Sequence, residues 1–108
     1  MSRIINPDGV GKQRKMLTRA VVLSLRELLN QSEPNEKTHD IAAFIVLTLA
    51  EISANIDRTV TPWEKRNYWV KADRFRMDWD WTDTIADKMQ KAILDEDWPI
   101  IAVCAAKM

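Results

Sequence analysis

The sequence predicts an all-α protein, a single domain built as a four- to five-helix bundle. Its only glycines are Gly9 and Gly11, so the 97 residues that follow lack the residue on which tight hairpins and bulges depend. Several segments of ten or more residues carry apolar side chains at intervals of three and four, the period of a helix. With 46% hydrophobic and 30% charged residues, and sixteen basic against sixteen acidic side chains, the composition predicts a globular domain without net charge. We expect residues 1–108 to form one helical domain.

The first helix is predicted from about Lys12 to Asn30. An N-terminal segment, residues 1–11, precedes it, and the residue order of Asn6–Gly9 predicts a type I turn there. The apolar face of this helix recurs at helical spacing and comprises Leu17, Ala20, Val21, Ser24, Leu25 and Leu28. The polar stretch that follows, residues 30–39 with Pro34, predicts a loop.

The second helix is predicted from about Asp40 to Asp57. Its middle, residues 41–52, is apolar on nearly every side, which is typical of a central helix wrapped by its neighbours. The most apolar stretch, Ile41 to Ala50 with Thr48 as its only interruption, is about half as long as a membrane span requires, so we expect no membrane insertion.

The third helix is predicted to begin at Thr61–Glu64 and to run to about Met77. Threonine as the N-cap, proline at the first helical position and glutamate at the third form a capping box. We expect Asp78–Trp81 to be a short connection, and Asp80 or Thr82 to cap the next helix.

The fourth helix is predicted to end near Glu96, with an apolar stripe of Ile85, Met89, Ala92 and Ile93. Pro99 suits the first turn of a short last helix, Ile100 to Lys107.

The third helix carries two apolar sides, whereas an ordinary surface helix carries one. The more regular side, which we expect to face inward, comprises Tyr68, Ala72, Phe75 and, if the helix extends that far, Trp79. The opposite side comprises Trp63, Val70 and Met77, flanked by Arg66 and Arg74. Aromatic, methionine and arginine side chains together are typical of an interface core, although burial in the monomer and stacking on bases are alternatives. The leading hypothesis is therefore a non-enzymatic interaction protein, a homodimer that presents residues 63–81 to a second copy.

Basic side chains form a stripe on the first helix, at Lys12, Lys15, Arg19 and Arg26. A solvated face, a protein partner and nucleic acid all explain such a stripe. The alternative function is accordingly a nucleic-acid-binding domain that uses this stripe and the aromatic and basic third helix.

The residues capable of catalysis are few, and we expect no catalytic, cofactor or metal site. His39 is the only histidine, and Cys104 lies in an apolar run that predicts a buried thiol. The best metal candidates are Asp78, Asp80, Asp83 and Asp87, so a Mg²⁺-dependent hydrolase ranks third. A lone cysteine and the lack of an apolar leader lead us to expect a cytoplasmic protein.

Overall fold

The structure, a computed structural model, describes residues 7–31 and 33–108. Within this part of the chain it contains five α-helices and no strand, which confirms the all-α prediction. The helices are α1 (Pro7–Leu29), α2 (Glu36–Lys65), α3 (Trp69–Trp79), α4 (Trp81–Leu94) and α5 (Trp98–Lys107). α1 and α2 form a long antiparallel hairpin, and α3 and α4 also pack on α2. The second helix is therefore central, as predicted.

The N-terminus of α1 differs from the prediction. Pro7, Asp8 and Gly9 belong to the first turn of the helix, so the turn predicted at residues 6–9 is wrong for these three positions. Asn6 and the rest of residues 1–6 lie outside the described residues. Proline is tolerated at the first helical position because its fixed φ is helical and an N–H there has no partner within the helix.

A buried polar cluster joins α1 to α2. The side chain of Asn55 is fully buried, and its amide nitrogen donates to the Val10 carbonyl (2.9 Å) and to Gln13 Oε1 (2.8 Å). Its carbonyl oxygen accepts a hydrogen bond from Arg14 Nη1 at 3.0 Å. Burial of the Arg14 guanidinium lowers its pKa. The cluster sets the register of the hairpin.

The helix α2 starts four residues before the predicted position and continues through the predicted capping box to Lys65. Asn35 caps it by accepting a hydrogen bond from the Thr38 N–H at 3.0 Å. Thr61 does not cap a new helix, because its hydroxyl donates to the Asp57 carbonyl of the preceding turn at 2.7 Å. Pro62 lies one turn before the end of α2, so the helix loses only the bond that its missing N–H would make to the Arg58 carbonyl.

The end of α2 is a Schellman motif without glycine. Asn67 adopts the left-handed conformation (φ 65°), the Tyr68 N–H donates to the Trp63 carbonyl at 2.8 Å, and the Asn67 N–H donates to the Glu64 carbonyl at 3.0 Å. Glu96 (φ 54°) ends α4 in the same way. In a stretch without glycine, an asparagine and a glutamate occupy the positions where glycine is usual.

The core lies on one side of α2, where Ile45, Leu49, Ile52 and Val60 are almost fully buried. The stripe predicted for α4 packs against the core and is buried throughout: Ile85, Met89, Ala92 and Ile93. The opposite side of α2 is open, because Phe44 and Leu47 are exposed. The prediction that neighbours wrap α2 on all sides is therefore wrong.

The last three helices occur in the predicted order, but they begin and end at residues other than those predicted. α3 and α4 are separated by Asp80 alone, whose backbone stays helical and whose side chain makes no capping bond. Thr82 does not cap α4 either, since its hydroxyl donates to the Trp79 carbonyl at 2.8 Å. α5 begins two residues before its predicted start and is capped by Asp97. Cys104 is buried in it, as predicted.

By length and composition, α2 is the one described helix that meets the criterion for a membrane span, with a mean hydropathy of 1.4 over its most apolar window. The central helix of a water-soluble bundle meets the same criterion, so this is weak support for insertion.

Candidate interaction surface

The outer side of α3 carries an exposed apolar row. The side chains of Val70 and Met77 are 73% and 76% exposed, whereas Ala72 on the opposite side of the helix is fully buried. The two residues are seven positions apart, so they lie in line about 10 Å from each other along the helix axis. The sequence placed both residues on an outward side, and the structure confirms that placement.

Trp63 borders this row from the last turn of α2 and not from α3 itself. Its ring is half-buried and meets the ring of Phe75 edge-on, with centroids 5.3 Å apart and planes at 81°. Lys71 Nζ lies 4.3 Å from the centroid of the Trp63 ring. Trp63 therefore both supports α3 and contributes to its outer surface.

An open groove of about 480 Å³ runs beside the row. Its walls are Trp63, Val70, Lys71, Arg74, Phe75 and Asp78. A second groove of about 470 Å³ is formed by Asn67, Tyr68, Trp69, Val70 and Lys71. Because Val70 and Lys71 belong to both, the two grooves form one continuous surface, which we call the α3 surface together with Met77 and the exposed Arg66.

The prediction that Tyr68 faces inward is wrong. Its side chain does not share the burial of Ala72 but is half-exposed. The neighbouring Trp69 is also half-exposed. The reason is the Schellman turn, which ends α2 at Lys65 and makes Tyr68 the residue that precedes α3. Phe75 and Trp79 do pack toward the core, as predicted.

Two arginines connect α3 to the hairpin formed by α1 and α2. Arg76 forms an ion pair with Asp57 and a second with Glu64 at 3.3 Å, both on α2. The hydrogen bond that the Arg76 guanidinium donates to the Asp57 carboxylate is the main reason why the pKa of Arg76 is raised. Arg14 of α1 lies 5.1 Å from the Phe75 ring centroid and 5.7 Å from that of Trp79. The helix that carries the surface is thus fixed to both helices of the hairpin.

Charges flank the exposed row on its two sides. Arg74 is rotated by 40–60° about the helix axis from Val70 and Met77, toward the groove. Asp73 is rotated from the same two residues by the same amount in the opposite direction. Both side chains are exposed. Asp73 was not among the predicted site residues, because its importance depends on which residues point outward.

The other candidate residues lie on separate surfaces. The basic stripe of α1 is exposed at all four positions, Lys12, Lys15, Arg19 and Arg26. The aspartates at 78, 80, 83 and 87 are also exposed, and no group of three His, Cys, Asp or Glu side chains in the described part of the chain is arranged to hold a metal ion. His39 is exposed beside Asp40, with Nδ1 4.0 Å from a carboxylate oxygen.

Comparison with known proteins gives no relative for this chain: no family model, no curated protein and no solved structure matches it.

Proposed function

We propose that this chain is a non-enzymatic interaction protein that forms a homodimer through the α3 surface. The observation that carries the proposal is the pair Val70 and Met77, more than 70% exposed on the outer side of a helix whose inner side carries the fully buried Ala72. Exposed apolar rows of this kind, beside a groove with tryptophan and arginine in its walls, have the composition of interface cores.

The charges on α3 favour one orientation of the two copies. A two-fold axis parallel to α3 sets the helices side by side in the same direction, so that Val70 meets the partner's Val70 and Met77 meets the partner's Met77. Arg74 then faces the partner's Asp73, and the pair occurs twice by symmetry. An antiparallel arrangement would place Arg74 beside the partner's Arg74 and Asp73 beside the partner's Asp73, which is unfavourable.

The α3 surface is small, so we expect the two copies to associate weakly. α3 has 11 residues, so it is about 16 Å long, and with a helix diameter of about 10–12 Å its outer side covers roughly 200 Å². A stable complex typically buries about 800 Å² on each partner. We therefore expect two copies to associate through α3 only at high micromolar protein concentration.

Light scattering at high micromolar concentration tests the proposal. The wild type should have at least twice the 12.5 kDa mass of one chain, and Val70→Glu should halve the wild-type mass with helix content unchanged. The matched control is Gln90→Glu, which adds the same charge at an exposed position of α4 and should leave the mass unchanged. Trp63→Ala is less informative, because it also removes the contact with Phe75.

Charge reversal tests the orientation. Asp73→Arg and Arg74→Asp should each weaken association, and the double variant should restore it, because it exchanges the two partners of each pair. A double variant no better than either single one would reject the parallel arrangement. A wild type that stays at 12.5 kDa would reject the dimer, and salt-dependent binding to oligonucleotides by such a monomer would favour the alternative function.

A further inference from the structure

The outer edge of α1 carries the basic stripe, which faces away from the rest of the bundle. α1 packs mainly on α2, and its buried Val21 and Leu28 lie on the side opposite the stripe. The four cations of the stripe, from Lys12 to Arg26, lie within about 60° of rotation about the helix axis and extend over about 21 Å along it. The stripe is therefore a straight row of positive charge on an exposed helix.

No acidic residue interrupts this row. The row begins one turn after Asp8, and between Gly9 and Leu29 the one acidic residue is Glu27, rotated by about 60–120° from the four cations toward α2. The ion pairs among the side chains that the structure describes are made by His39 and Arg76, and none of them by the stripe. Because like charges at these spacings repel one another, an anion from outside would stabilise the row.

The charges become mixed only on the α2 side of the stripe. There Glu27 lines a groove with Asp40, and Glu51 and Arg58 are exposed along the same outer side of α2. The guanidinium of Arg58 donates a hydrogen bond to Gln13 Oε1 at 2.7 Å, on the flank of the row. The region of uniform positive charge is therefore the stripe itself, and its partner must be uniformly negative over the same length.

We propose that the basic stripe binds the phosphate backbone of a nucleic-acid duplex without sequence preference. A duplex carries one negative charge per roughly 1.7 Å of its axis, so about twelve phosphates lie along the length of the stripe. All four cations can therefore contact phosphates at the same time, and lysine and arginine are the side chains that commonly make such contacts. This function is additional to the α3 dimer and does not depend on it.

The apolar side chains near the stripe argue against an anionic membrane as its partner. An interfacial helix buries a continuous apolar side in the lipid and keeps its cations on the other side. In α1 the centre of the exposed side is cationic, and the exposed apolar side chains are divided between its two flanks, with Val22 on one and Met16 and Leu23 on the other.

The exposed side of α4 in a second copy is also a poor match. Asp83 and Asp87 lie one turn apart there, but Lys91 follows one turn later, and all three side chains are exposed. Two carboxylates beside a lysine cannot pair with four cations, whereas a row of phosphates can.

The test is the salt dependence of binding to a labelled DNA duplex of about 20 base pairs. Four phosphate contacts predict that the logarithm of the association constant falls against the logarithm of salt concentration with a slope of about 3.6, which is about 150-fold between about 50 and 200 mM salt. Arg19→Gln should reduce the slope to about 2.7, and Lys12→Gln, Lys15→Gln and Arg19→Gln together should reduce it to about 0.9. Two duplexes of different sequence should bind within about threefold of each other.

The matched control is Lys88→Gln, which removes a positive charge from an exposed position of α4 and should leave the slope unchanged. Arg26→Gln repeats the test from the other end of the stripe. Because all the substituted side chains are exposed, the variants should keep the helix content of the wild type in circular dichroism.

Three results would overturn the proposal. They are a wild type that does not bind the duplex at about 50 mM salt, stripe variants that keep the wild-type slope, and a Lys88→Gln slope as low as that of Arg19→Gln. A wild type that sediments with vesicles of phosphatidylcholine and phosphatidylglycerol but does not bind the duplex would likewise reject nucleic acid in favour of a membrane. Val70→Glu should bind the duplex with the wild-type slope whether or not it changes the mass in solution, so this proposal and the α3 dimer can fail separately.

Discussion

Replacing Asn55 with alanine should destabilise the fold, because this buried side chain joins α1 to α2. The substitution removes three hydrogen bonds, to Val10, Gln13 and Arg14, at 2.8–3.0 Å. At about 1 kcal/mol each they contribute about 3 kcal/mol. Alanine recovers about 0.6 kcal/mol in helix propensity, which leaves a net loss of about 2 kcal/mol. Because unfolding entropy is about 2.1 cal/mol/K per residue, the melting temperature should fall by about 9 °C.

The assay for Asn55→Ala is thermal unfolding followed by circular dichroism at low protein concentration. Gln90→Ala is the matched control, because it removes a carboxamide from an exposed helical position and should change the melting temperature by no more than about 2 °C. If Asn55→Ala melts within 2 °C of the wild type, the polar cluster does not stabilise the hairpin and the reasoning is refuted.

Three further predictions concern single positions. Pro62→Ala should stabilise the protein by about 1–3 kcal/mol in chemical denaturation, because it restores an N–H donor for the Arg58 carbonyl in α2; unchanged or reduced stability would mean that α2 ends before this residue. Glu96→Gly should stabilise it by about 0.5–1 kcal/mol in the same assay, since glycine adopts the left-handed conformation without steric cost; a loss of stability would show that the Glu96 side chain matters more than its backbone. Cys104 should react with a thiol reagent only slowly until denaturant is added, and rapid native-state labelling would contradict its burial in α5.

The sequence predicted what short-range periodicity controls. Ile85 and Met89 were placed in the core from spacing alone, and Val70 and Met77 were placed outward because they lie opposite Ala72 round a helix. Both predictions depend only on the 3.6-residue repeat, which tertiary packing does not change.

The predictions that failed depend on choices made elsewhere in the chain. The box at Thr61–Glu64 caps a helix only if the chain turns just before it, and the turn forms instead at Asn67, the residue that adopts the left-handed conformation. Asn55 was missed because an asparagine in a helix suggests exposure, and only the approach of α1 buries it. Asp73 likewise gains a role only once the exposed side of α3 is known.

The central position of α2 has a consequence for how the bundle opens. α1, α3 and α4 all pack directly on α2, whereas α5 packs mainly on α4. Detaching α5 therefore breaks the contacts of Ile101, Cys104 and Ala105 and leaves the rest of the core assembled, while disrupting α2 removes the support of three helices at once. Amide hydrogen exchange should be slowest along the middle of α2, in Ile45–Ile56, and should occur in α5 through a local opening that does not require global unfolding.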